Sequence, residues 1–184
     1  RGLIEFIKEQ QLESIAICLL NSYANNRHEH DIRDLIKEYF PRISLTLSSV
    51  LVPEIGEYER TSTTTLNAYI QPTISTYLSK LSDRIQKAGL KVPIHIMQSN
   101  GGAMTTSEAS DRPIHILESG PAAGAIAAAQ LATSCCSPNV ITLDMGGTTT
   151  KSSVIENGAP LSTTEYELFK SNNRPGSGLP LRVP

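Results

Sequence analysis

The chain has 184 residues, 39% of them hydrophobic, with 16 basic side chains against 18 acidic ones and a net charge of −2. It has enough apolar residues for a core, while the missing basic excess argues against a general nucleic-acid or anionic-membrane binder. Three cysteines, Cys18, Cys135 and Cys136, form neither a disulfide framework nor a zinc spacing, and no apolar run reaches transmembrane length, so a cytoplasmic protein with no membrane partner is expected.

Leu3 to Gln10 shows apolar residues at helical spacing, and Ser14 to Leu20 reads as a buried strand. Asn25 or Asn26 can cap a helix running to about Phe40, where Pro41 ends it, and Ile43 to Val50 alternates as a half-buried strand. This α-β-α-β order predicts parallel strands joined by helical crossovers. His28 and His30 flank Glu29, but residues two apart do not share a helix face, so the three read as polar helix-entry residues and not as metal ligands.

Residues 53 to 56 mark the expected boundary between a domain ending near residue 54 and one starting near 55. Glu54, Glu57, Glu59 and Arg60 read as the solvated start of a long helix, with acids near its N-terminus. Leu66, Tyr69, Ile70, Ile74, Tyr77, Leu81 and Ile85 would form its apolar face, Pro72 should kink or split it, and Gly89 should stop it. Val92 to Met97 predicts a short strand entering a turn at Ser99 to Gly102, Ser107 to Ser110 a helical turn, and Ile114 to Leu117 another short strand. His95 and His115 alternate with isoleucines and read as ordinary histidines.

Ser119 to about Ala132 predicts a helix of small residues, with Gly120 free to take an unusual backbone angle and Pro121 suited to the first helical position. Its N-terminus offers free N–H groups to an anion. Alternatively, its alanines and Gly124 serve close packing against a sheet. Glu118, just before it, is a candidate to position a metal ion or water.

Val140 to Met145 is an apolar strand that delivers Asp144 into Gly146, Gly147, Thr148, Thr149 and Thr150. Paired glycines let a backbone approach an anion and aim N–H groups at it. Hydroxyls of Thr148 and Thr149 add donors, and Asp144 suits Mg²⁺, which is held by one or two carboxylates together with phosphate oxygens. No helix follows, as a P-loop would require. Instead Ser152 to Ile155 reads as a strand, Asn157–Gly158 as a tight hairpin turn, and Leu161 to Tyr166 as a third strand, giving a phosphate-loop hairpin over 140–166. A Gly-Gly hairpin with no ligand is the plainer alternative.

With these motifs in view, the chain resembles the hydantoinase A/5-oxoprolinase family. The likeness rests on Ala16 to Tyr23 with His28–Glu29, Pro53 to Thr63 with Leu66 to Pro72, Gln98 to Gly102, Glu118 to Gly124, and Asp144 to Thr150, in that order. It runs from about residue 3 to the end. It implies an α/β, ribonuclease-H-like fold of the actin/Hsp70/sugar-kinase type, present as a fragment that spans the end of an N-terminal domain (1–54) and the start of a hydantoinase A domain (55–184). It further implies an ATP- and Mg²⁺-dependent opening of a cyclic amide, hydantoin or 5-oxoproline in type, in which phosphorylation of the amide oxygen makes a better leaving group. Asp144 would then hold Mg²⁺, and Gly146, Gly147, Thr148 and Thr149 would bind phosphate, with Gly120 and Gly124 behind them. A hydantoinase-B-like partner, fused or separate, is implied, and a homo-oligomer is compatible.

The resemblance also admits an acetone-carboxylase-like carboxylase or a nucleotide-binding switch module. The commoner family pattern closes the loop with an acid where this chain has Lys151, which either contacts phosphate as a point charge or faces solvent. The chain starts Arg1–Gly2–Leu3 and ends without a terminating element, which reads as a piece of a longer protein, inactive when alone.

Overall fold

A computed structural model of the chain describes residues 2–147, 149–163, 165–168 and 179–182, the last two segments by backbone alone except for Leu181. It is an α/β structure. Helix α1 (Gly2–Gln10), strand β1 (Ser14–Ile17), helix α2 (Arg27–Tyr39) and strand β2 (Ser44–Leu47) form a parallel pair with a helical crossover, Ser14 lying opposite Ser44 and Ile17 opposite Leu47. Ile7, Ile17, Ile36, Ile43 and Leu47 bury between the helices and the strands, with Ile32 and Phe40 packed against them. Asn26 caps α2 in position without a side-chain bond, while Asn25 Oδ1 accepts the Arg27 N–H at 3.1 Å.

The strand expected to reach Val50 stops at Leu47, and Ser48–Leu51 turns into a short helix, α3. Glu29 explains the turn: its carboxylate accepts the Ser49 N–H at 2.9 Å, a donor that would otherwise continue the ladder, and the Ser48 hydroxyl at 2.7 Å.

Helix α4 (Glu57–Lys87) is one 31-residue helix despite Pro72. Its end is a Schellman motif. Gly89, at φ +87°, donates to Gln86 O at 2.9 Å, and Leu90 N donates to Ile85 O at 3.2 Å. The apolar face read from the sequence is only partly the buried one. Tyr69 and Tyr77 are exposed, whereas Arg60, Thr63, Thr64, Asn67, Gln71 and Leu78 are buried. This largely polar stripe is matched by partners. Asn67 Nδ2 donates to Thr46 Oγ1 and to the Asp111 carbonyl, both at 3.1 Å, and Asn67 Oδ1 accepts the Ile114 N–H at 3.1 Å. Thr63 and Thr64 donate back to the Glu59 and Arg60 carbonyls at 2.7 and 2.6 Å.

Strands β3 (His95–Met97) and β4 (Ala103–Thr105) form a hairpin, followed by α5 (Thr106–Asp111), whose Thr105–Glu108 capping box satisfies its first donors. The strand expected at Ile114 to Leu117 is a 3-10 turn, Pro113–Ile116. Asn67 holds the Ile114 N–H and Ser99 N donates to the His115 carbonyl at 2.7 Å, so the turn's backbone is used without a ladder. Two cores flank α4 here. Leu78, Met104 and Ala109 make one; Leu51, Val52, Ile114 and Leu181 make the other.

Helix α6 (Ser119–Ser134) precedes the antiparallel strands β5 (Val140–Met145), β6 (Thr150–Glu156) and β7 (Ala159–Pro160). Asn157 and Gly158 both have positive φ, +52° and +81°, the two-residue turn that the Asn-Gly pair predicts. Such a short turn starts the third strand at once, at Ala159 and not at Leu161. Pairing ends after Leu161 N donates to Val154 O, and Glu165–Leu168 (β8) pairs instead with Leu179–Arg182 (β9). No helix of the described residues is long and apolar enough to cross a membrane.

Candidate functional site

Asp144 lies directly opposite Lys151 in the β5–β6 register, so both project from the same face of the hairpin. That face is the one α6 covers: Ile155 on it is 1% exposed, while Ile141 and Leu143 on the other face are open. Ala125, Ala129 and Ala132, at spacings of four and three, give α6 a flat buried strip on which the hairpin can close. The direction of α6 follows from its two ends. Glu118, at the N-cap, pairs with Lys151, while Thr133, in the last turn, lies 3.2 Å from where a Cβ on Gly158 would stand. The N-terminus of α6 therefore sits at the Gly-Gly end of the hairpin, beside Asp144.

The loop closes tightly. Met145 pairs with Thr150, and Gly146 N donates to Thr149 O at 2.9 Å, which leaves Gly147 at its tip. Gly146 therefore gives space and not a free donor. A Cβ on Gly147 would meet nothing within 4 Å, and no hydrogen bond engages its N–H among the described residues. Thr148 lies outside the described residues; Thr149 is exposed. The Asp144 carboxylate is exposed and has no hydrogen-bond or ion-pair partner among the described residues.

Gly120 takes no unusual φ, and Pro121 is the third helical residue and not the first. Neither Gly120 nor Gly124 meets any atom within 4 Å of an added Cβ, so close packing on the sheet belongs to the alanines. The Gln98–Gly102 motif braces this end of α6. Ser99 Oγ accepts the Glu118 N–H at 3.1 Å, and a Cβ on Gly101, which sits at φ +87°, would stand only 2.2 Å from Ile126 Cδ1. Lys151 thus neither faces bare solvent nor waits unpaired: it is held by Glu118.

A second polar centre was not legible as such in the sequence. Arg60, read as part of a solvated helix start, is fully buried, and so is Glu29, read as a polar helix-entry residue. The Arg60 guanidinium donates to Ser48 Oγ at 2.7 Å, to the Leu19 carbonyl at 2.9 Å and to Ser22 Oγ. It pairs with Glu57 at 3.2 Å and stacks 5.5 Å from the Tyr23 ring centre. Ser48 Oγ also donates to Glu29 Oε1, so one hydroxyl bridges the buried acid and base. Burial pushes the Glu29 carboxyl up, but the Ser48 hydroxyl and the Ser49 and Leu19 N–H groups outweigh it and hold it below the usual range. Among the described residues no group of three or more His, Cys, Asp or Glu side chains is arranged to hold a metal. A groove of about 770 Å³ between α1, the Phe40–Ser44 connection and Pro72 of α4 shares no residue with either centre.

Residues 60–184 match the Hydantoinase/oxoprolinase family and residues 1–40 the Hydantoinase/oxoprolinase N-terminal region. The chain belongs to the hydantoinase/oxoprolinase family. It is 41% identical over 99% of its length to the uncharacterized protein MJ0964 of Methanocaldococcus jannaschii, covering 27% of that protein. It is 33% identical over 79% of its length to the caprolactamase subunit alpha of Pseudomonas jessenii, covering 21% of it, and 32% identical over 82% to 5-oxoprolinase 1 of Arabidopsis thaliana, covering 12%. A nucleotide-free structure of acetone carboxylase superposes with a TM-score of 0.80 at 26% identity, over the whole of this chain and 25% of that one. An ATP-dependent caprolactamase from Pseudomonas jessenii superposes with a TM-score of 0.75 at 31% identity, over 83% of this chain and 22% of that one. The chain thus spans about a quarter or less of these relatives.

Proposed function

We propose that this chain is the part of an ATP-dependent cyclic-amide hydrolase that carries one of its phosphate loops, on a ribonuclease-H-like scaffold of the actin/Hsp70/sugar-kinase type. The division into an N-terminal part (1–54) and a hydantoinase A part (55–184) belongs to the same proposal. The observation that carries it is the exposed Asp144 carboxylate, unpaired among the described residues, at the mouth of the Gly-Gly hairpin with the N-terminus of α6 alongside. The residues fit Mg²⁺ and a polyphosphate. The backbone is bare at Gly147, Gly120 and Gly124, one carboxylate is available, and a cation stands opposite it.

In this reading Asp144 holds Mg²⁺, directly or through water, and Gly147 N–H with the Thr149 hydroxyl contacts phosphate oxygens. Thr148 is assigned the same role from the sequence. Bound Mg-ATP would supply the phosphoryl group that activates a lactam or hydantoin oxygen. The chain's own contribution is to position and to stabilise charge, which is most of what catalysis of phosphoryl transfer asks of a protein. The braced turn at Ser99 to Gly102 keeps Glu118 and α6 in register with the loop. A hydantoinase-B-like partner, fused or separate, would complete the enzyme.

Support for a cyclic amide comes from the likeness to the caprolactamase subunit and to 5-oxoprolinase. The superposition of the described chain on a quarter of an acetone carboxylase chain supports a second reading, ATP-dependent carboxylation. Phosphate release by the full-length parent, with Mg-ATP and 5-oxoproline, hydantoin, N-methylhydantoin or caprolactam, tests the first. Turnover that requires one of these and disappears in Asp144→Ala supports it. Turnover that needs bicarbonate and a ketone selects the second, and ATP binding without turnover on any of them leaves a nucleotide switch.

A further inference from the structure

We propose that Lys151 is a phosphate ligand that Glu118 holds in store until nucleotide arrives; this rests on the phosphate-loop reading above. Three observations meet here. Lys151 is the cross-strand neighbour of Asp144, so its ammonium, on a flexible four-carbon stem, starts from the same face and depth as the carboxylate assigned to Mg²⁺. That ammonium is bound to Glu118 Oε2, and the pair is half-buried, with side-chain exposures of 38% and 30%. The Glu118 backbone is anchored by its N–H on Ser99 Oγ at the N-cap of α6, which sets where the carboxylate starts, while the lysine reaches it on a longer stem from the hairpin.

The charges decide what an arriving polyphosphate does. Without nucleotide, Asp144 and Glu118 put two negative charges around one positive charge. A Mg-triphosphate seated at Asp144 brings several anionic oxygens to the loop, and these compete with a single carboxylate for the ammonium. Rotation of the lysine stem moves its charge to phosphate with no change of backbone. The pair therefore opposes nucleotide binding slightly before it assists it, which a purely structural staple would not do.

Opposite signs in two variants test this. In the full-length parent, calorimetric titration with Mg-ATP should show Lys151→Met binding tenfold weaker or more, the loss of a hydrogen bond to a charged group. Glu118→Gln, nearly isosteric, should bind Mg-ATP several-fold tighter, because the lysine is no longer held. Adenosine, which has no phosphate, should bind both variants as it binds the parent protein. Lys151→Arg, which keeps the charge, should restore most of the affinity if Lys151→Met folds poorly. Equal weakening in Lys151→Met and Glu118→Gln, or no change in either, overturns the proposal and leaves the phosphate-loop reading standing. A parent protein that binds no Mg-ATP overturns both.

Discussion

Replacing Arg60 by methionine keeps most of the stem volume and removes the guanidinium. The structure sets the size of the effect. Ser22 Oγ and Ser48 Oγ, both buried, and the half-buried Leu19 carbonyl each lose a donor, and Glu29 loses the buried cation reached through Ser48. Breaking one side of a buried ionic arrangement costs about 3–5 kcal/mol, so chemical denaturation of Arg60→Met, followed by circular dichroism at neutral pH, should show a loss of that order. Glu29→Gln should also destabilise, and the double variant should lose clearly less than the sum, because both residues act through the Ser48 hydroxyl. The acid limb carries a sign. Glu29 is held below its ordinary value of about 4.5 in the folded chain, so its contribution is complete above that value and is lost as pH falls through the lowered one. Glu29→Gln should lack that part of the acid loss. An Arg60→Met loss under about 1 kcal/mol, or additive single variants, would refute the claim that these groups form one buried unit.

Asp144→Asn in the full-length parent should abolish Mg-ATP turnover, yet shift the melting temperature little, since the side chain is exposed and has no partner among the described residues; an unaltered rate would remove Asp144 from the metal site. Gly89→Ala should cost about 1 kcal/mol, because only the left-handed angle of the helix stop is strained and no atom is near. Gly101→Ala, at the same left-handed angle, should cost about 1 kcal/mol or more in the same denaturation assay, because the Ile126 end methyl must also swing aside; a neutral variant would contradict the seat of that turn against α6. Thr105→Ala should remove about 0.5–2 kcal/mol with the α5 capping box, and amide exchange in α5 should quicken.

The sequence by itself determined most local structure, for reasons that are local. Hydrophobic periodicity places α1 and β1, and an Asn cap with Pro41 places α2; Asn157–Gly158 demands positive φ in a two-residue turn; Gly89 ends α4; and the Asp144 to Thr150 run sits between two strands because Val154, Ile155 and the Asn-Gly turn follow it. Tertiary structure decided what those elements face. The buried side of α4 is polar because the β1–β2 pair and the Asp111–Ile114 segment present hydroxyls, carbonyls and N–H groups to it, which hydrophobic spacing along one helix cannot reveal. Arg60 and Glu29 look like surface charges until a distant serine, Ser48, bridges them away from water. Ile114 to Ile116 alternates like a strand, yet its Ile114 N–H meets Asn67 and its His115 N–H the Arg112 carbonyl, not another strand. Likewise the partner of Lys151 lies outside its own hairpin; Glu118, 33 residues earlier, reaches it only because α6 lies along the sheet with its N-terminus at the glycine loop.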